Sequence, residues 1–141
     1  AKPYVAGGTD GSAIDLDSGN LPPLIHPRHL GTVPRLLGTY VREEKLLSGE
    51  EAIRKLSGLP AEILSLRDRG TLNAGNFADI VVFDPDAIDG KATFTEPFQY
   101  AVGMRYVFVN GQAVIDEGAY TRALPGRALR GPAYTPPGQA D

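Results

Sequence analysis

Proline and glycine interrupt this chain so often that no element in it can be long. There are 17 glycines and 12 prolines among 141 residues, against a combined average usage of about 12%. Proline removes a backbone donor and fixes φ, and glycine costs the most conformational entropy to order. The positions of these breakers therefore decide where elements can form. Residues 15–28 hold Pro22, Pro23 and Pro27 among Asp, Ser, Gly and Asn, which predicts a long loop rather than a helix or a central strand. Beyond Ile115 the breakers recur at Pro125-Gly126 and Gly131-Pro132, predicting a strap followed by a flexible tail over 131–141.

Between the breakers the periodicity changes once. Val33, Leu36, Leu37, Tyr40 and Val41 recur at helical spacing from Thr32, with Pro34 tolerable in the first turn. Ser48 followed by Glu51 is a capping-box pattern that starts a second helix burying Ala52, Ile53 and Leu56, ended by Gly58 and Pro60. A third short helix is expected from Pro60 through Ala61, Ile63, Leu64 and Leu66. After Gly70 the pattern turns β: Ile80-Val-Val-Phe83 reads as a strand, and Tyr106-Val-Phe-Val109 with Ala113-Val-Ile115 flanks Asn110-Gly111, a hairpin turn signal. At the start, Pro3–Ala6 reads as an extended run that stops in a glycine-rich turn at Gly7, Gly8 and Gly11.

Composition removes several function classes. No apolar run approaches the roughly 20 residues a membrane helix needs. A net charge of −3 leaves no electrostatic footprint for nucleic acid or anionic lipid. Without cysteine there is no disulfide framework, no thiol nucleophile and no thiolate metal site from this chain. The only histidines are His26 and His29; they read better as hydrogen-bonding or capping groups of a loop than as a metal pair, since a catalytic zinc takes three protein ligands. Asp10 is the suggestive residue, placed at the end of an extended run in a permissive turn, where barrel enzymes put catalytic groups. An ordinary turn aspartate is the alternative.

Thr9-Asp-Gly-Ser12, His26-Pro-Arg-His-Leu-Gly-Thr-Val-Pro-Arg-Leu-Leu-Gly38, Ser48-Gly-Glu-Glu-Ala-Ile-Arg-Lys-Leu56 and Leu59-Pro-Ala61 together resemble the C-terminal third of the N-acyl-D-amino-acid deacylases, the D-aminoacylases of the amidohydrolase superfamily. The resemblance continues through Gly75–Pro85, Val109-Asn-Gly111 and Pro125-Gly-Arg127, covering roughly residues 7–130. It implies an α/β fold: the C-terminal portion of a metal-dependent (β/α)8 barrel, with its last strand, active-site loop and helices in 1–70. A portion of a small antiparallel β-sandwich domain follows over 71–130. It also implies a hydrolase cutting the amide of N-acyl-D-amino acids into a D-amino acid and a carboxylate. Zinc would serve the complete enzyme through ligands on earlier barrel strands, with no metal ligand in this chain.

Under that resemblance Asp10 matches a catalytic acid/base, and Arg28, His26, Thr9 and Gly11 would bind substrate. Arg28 or Arg35 could grip the substrate carboxylate, or either could tie the long loop to Asp15 or Asp17. The implied partners are a small-molecule substrate and the remaining N-terminal barrel portion, with neither nucleic acid nor membrane, in the cytoplasm. An isolated copy is expected to be inactive, to bind no stoichiometric zinc and to associate through uncovered edges. A dihydroorotase- or hydantoinase-like cyclic amidase portion and a non-catalytic binding module stand as the alternatives.

Overall fold

The computed structural model describes residues 2–131 and 133–135, so most of the flexible tail expected over 131–141 lies outside the described residues. The first helix, α1 (Arg28–Arg35), starts directly after Pro27 rather than at Thr32, and Pro34 lies inside it. Pro34 cannot donate to the preceding turn, and just beyond it the helix widens to a π-helical stretch over Leu36–Glu43. Helix α2 (Gly49–Ile53) begins as expected: the Ser48 Oγ accepts from the Glu51 N–H at 3.2 Å, and Glu50 and Glu51 occupy the first turn, where the helix dipole favours acids. It continues through wide turns at Arg54–Gly58 into α3 (Leu59–Ile63) instead of stopping at Gly58, because Pro60 falls in the opening turn of α3, where its missing N–H costs least. Ser65, at φ +56°, follows the end of the helical run.

The β half is one antiparallel sheet in sequence order, β1 (Ile80–Phe83), β2 (Met104–Val109), β3 (Gln112–Asp116) and β4 (Ala119–Tyr120). Asn110 (φ +50°) and Gly111 (φ +81°) form the expected tight turn, both in the left-handed region that a two-residue hairpin requires. Glu117 and Gly118 repeat the device (φ +48° and +84°) and add the short β4, which the sequence reading did not include. The extended run expected over Pro3–Ala6 does not begin at Pro3: Pro3-Tyr4 is a turn closed by the Val5 N–H on Lys2 O at 3.2 Å, and among the described residues the segment joins no ladder. Its carbonyls are taken by side chains from the helical half instead: Lys55 Nζ donates to Lys2 O and Val5 O, and Arg54 Nη2 to Pro3 O.

The two halves meet at Leu37, Ala52 and Ile88, all buried, with Val33, Leu36, Leu56, Phe83 and Met104 packed around them. Ile88, only 1% exposed, comes from the long connection between β1 and β2. Its backbone fits so close that a Cβ on Gly38 would lie 2.6 Å from Ile88 O, and one on Gly103 (φ +82°) 2.5 Å from Ile88 Cα. Arg42 Nη1 ties the same stretch down, donating to Ile88 O at 2.7 Å and Pro85 O at 3.2 Å. Ile53, expected in a buried stripe, is instead 42% exposed, and Ile63 and Leu64 are 59% and 61% exposed.

Candidate active site

Two segments far apart in sequence converge at Asp10: the glycine-rich turn that follows residue 7 and the first turn of α1. Gly11 lies against α1 so closely that a Cβ would sit 3.1 Å from His29 Cα and 3.3 Å from Arg28 O, which is why this position is glycine. Ser12 N–H donates to His29 Nδ1 at 2.7 Å and Gly11 N–H to Thr9 Oγ1 at 3.3 Å, closing the turn on both sides of Asp10. Asp10 itself is left-handed (φ +46°), a conformation that aspartate tolerates but that costs an L-residue about 1 kcal/mol.

This turn directs the Asp10 carboxylate at Arg28, with Oδ2 3.0 Å from Arg28 Nη2. The partner is thus the candidate catalytic acid, not Asp15 or Asp17 as the loop-tying alternative had it; Asp17 lies instead near Arg122, at 3.7 Å. The Asp10 side chain is 88% exposed and that of Arg28 42%, so the pair contributes little stability and serves mainly to orient. Asp10 faces solvent, yet it is held by a residue that lines a cavity.

That cavity, about 210 Å³, lies between the start of α1 and residues 90–94, with His26, Arg28, Thr32, Arg35 and Phe94 in its wall. His26 does two things there. Its Nδ1 accepts the Arg28 N–H at 3.1 Å, satisfying one of the orphan donors of the helix start, and its ring stands edge-on to Phe94 at 5.0 Å. Of the residues singled out from the sequence, His26, Arg28 and Arg35 meet in this wall, Thr9 and Gly11 shape the turn beside it, and Asp10 bridges the two. Tyr40 and Tyr106 take no part; Tyr106 stacks with Phe108 on β2. His29 acts as the hydrogen-bonding loop histidine expected of it, accepting the Ser12 N–H that closes the turn, and one contributor escaped the sequence: Lys55, 6% exposed, the anchor of the segment leading into the turn. The signal for Lys55 was a lysine between the apolar positions Ala52 and Leu56.

Beside Lys55, Glu51 receives Arg54 Nε at 2.7 Å and Nη2 at 2.9 Å, with Lys55 Nζ at 3.5 Å. The Arg54 hydrogen bonds, which outweigh the opposing effect of burial, hold the Glu51 carboxyl down to about 2. Among the described residues, no group of three or more His, Cys, Asp or Glu could hold a metal ion, and no helix is long and apolar enough to cross a membrane.

Residues 5–115 match the amidohydrolase family, and the chain belongs to that family. Its relatives point more narrowly. It is 47% identical over 104 residues to a D-aminoacylase of Alcaligenes xylosoxydans xylosoxydans, and 41% identical over 129 residues, 92% of this chain, to an N-acyl-D-aspartate deacylase of the same organism. Among solved structures, it is similar to the N-acyl-D-glutamate deacylase of Bordetella bronchiseptica complexed with zinc and a phosphonate mimic of the tetrahedral intermediate. That match is 45% identical with a TM-score of 0.62, over 63% of this chain and 19% of that one. The chain spans 22% and 24% of the lengths of the two Alcaligenes relatives.

Proposed function

We propose that this chain is the C-terminal portion of a hydrolase that splits N-acyl-D-amino acids into a D-amino acid and a carboxylate. In this reading it supplies the last barrel strand, part of the active-site rim and a portion of the small β domain. The observation that carries the proposal is the placement of Asp10: a left-handed turn carboxylate paired with Arg28, whose side chain lines a cavity, within a chain whose relatives are named for this substrate class. Amide hydrolysis needs one group to take a proton from the attacking water and to return a proton to the leaving nitrogen, and a single carboxylate can do both in turn. Asp10 has that role.

Arg28 has donors beyond the one that meets Asp10, and its planar fork suits the α-carboxylate that every substrate of this class carries. His26 lines the same cavity, and Thr9 and Gly11 shape the turn beside it that carries Asp10. In this reading zinc serves the complete protein through ligands on earlier barrel strands, and among the described residues no group of three or more His, Cys, Asp or Glu could hold it. The remaining barrel is the partner that covers Asp10 and the exposed Ile53, Ile63 and Leu64.

Replacing Asp10 by Asn in the complete protein tests this. Turnover of N-acetyl-D-amino acids is expected to fall roughly 10²- to 10⁴-fold with zinc content unchanged. A wild-type rate in that variant would return Asp10 to an ordinary turn residue. A complete protein that hydrolyses cyclic amides and no N-acyl-D-amino acid would overturn the substrate class.

A further inference from the structure

Asp10 is caught between two backbone anchors that come from different helical segments. Ahead of it, the run of residues 2–7 is fixed to the turn at Arg54–Gly58. Lys55 Nζ donates to Lys2 O and, at 2.8 Å, to Val5 O; Lys55 O accepts the Gly7 N–H at 2.9 Å; and Arg54 Nη2 reaches Pro3 O. The fit is close, since a Cβ on Gly7 would lie 2.8 Å from Leu56 Cδ2. Behind it, the Ser12 N–H is held by His29 Nδ1 at 2.7 Å on the first turn of α1. A left-handed aspartate persists only where its surroundings over-determine the backbone, and these two anchors bracket it with only Gly8, Thr9 and Gly11 left between.

We propose that Lys55 and His29 are positioning residues for Asp10, Lys55 fixing the run that leads into it and His29 the turn that leads out. Neither side chain needs to touch substrate. The inference rests on the reading of Asp10 as proton carrier and adds the means by which its carboxylate is aimed. Lys55 suits the task because a buried ammonium with three donors satisfies several backbone carbonyls at once. His29 suits it because a neutral imidazole with its proton on Nε2 leaves Nδ1 as an acceptor.

The test uses the complete protein and an N-acetyl-D-amino acid. His29→Leu and Lys55→Met are each expected to lower kcat about 10- to 100-fold, the effect of misplacing a reacting group by about 1 Å, while KM stays within about twofold. His29→Asn, whose Oδ1 can replace Nδ1 as acceptor, should recover most of the loss, and His29→Gln should not. A KM that rises as far as kcat falls, or an Asn variant no better than Leu, would overturn the positioning role. If Lys55→Met fails to fold, the histidine series decides. The two readings separate cleanly: an inert Asp10→Asn beside fully active His29→Leu and Lys55→Met overturns the anchors alone, whereas a fully active Asp10→Asn removes the premise.

Discussion

Asn110 and Asp10 have nearly the same backbone conformation, with φ +50° and +46°, but they are held in it by different means. Asn110 sits beside Gly111 between two strands that pair directly across the turn, so its backbone conformation is set by its neighbours, and the distant Asp79, Arg69 and Pro125 bond it only after that turn is made. Asp10 depends on Lys55 and His29, through contacts that span 50 and 17 residues of sequence. A turn held by its neighbours can form early and alone, whereas a turn held from a distance exists only once the helices that hold it have docked. The catalytic candidate belongs to the second kind, the one in which distant residues can set its geometry.

The strongest way to break this contrast is at the joint between the halves. Ile88→Ala in the complete protein leaves a cavity against Leu37 and Ala52 and should cost about 2–5 kcal/mol, read as a fall in the denaturant midpoint. Hydrogen exchange at the Ser12 amide should rise much more than at the β2 and β3 amides, because the Asp10 turn needs the docked helices and the hairpin does not. Equal rises at both sites would show that the two turns share one source of stability. A smaller effect is expected at Asp79, which links β1 to the hairpin by accepting the Asn110 N–H at 2.8 Å and pairing with Arg69. Burial pushes the Asp79 carboxyl up, but the Asn110 N–H and the Arg69 guanidinium together outweigh it and hold it below its ordinary value. Its contribution is therefore complete above the unfolded value near 3.9 and is lost as pH falls through the lowered folded one. Asp79→Asn should cost about 1.5 kcal/mol at neutral pH and progressively less below about pH 4. Stability curves that stay parallel down to pH 2 would remove the carboxylate from the account.

What could be read from the sequence follows the same division. The hairpin, β1 and the Ser48 cap were legible because each is written within a few residues: Asn-Gly between β-branched runs, or a serine three residues ahead of a glutamate. The start of α1 was misplaced because the apolar spacing begins only at Val33, whereas the helix opens directly after Pro27 with Arg28, His29, Leu30 and Gly31, which carry no apolar period. The run at residues 3–6 looked extended, but Pro3 and Tyr4 turn on the Val5 N–H to Lys2 O bond, and side chains of Arg54 and Lys55 take carbonyl oxygens of the segment. At the site, Asp10 and Arg28 could each be picked out by type and position. Their pairing could not, since it arises from the close approach of Gly11 to α1, a contact with no periodic signature.

The smallest effect is the most discriminating. Ser48→Ala removes the side-chain acceptor of the Glu51 N–H at the start of α2 and should cost about 1 kcal/mol, with Ser48→Gly costing only a few tenths. The cap lies about one turn ahead of Glu51 and two turns ahead of Arg54 and Lys55, so loosening it frays the helix from which the Lys2–Gly7 run is held. Asp10 should notice this and Asn110 should not: exchange at the Gly7 amide, whose acceptor is Lys55 O, rises in Ser48→Ala while exchange at the Gly111 amide, bonded to Ala78 O, is unchanged. A uniform rise at both amides would mean that the cap acts on global stability alone, and the helix would then be a support for the core rather than the arm that holds the Asp10 turn.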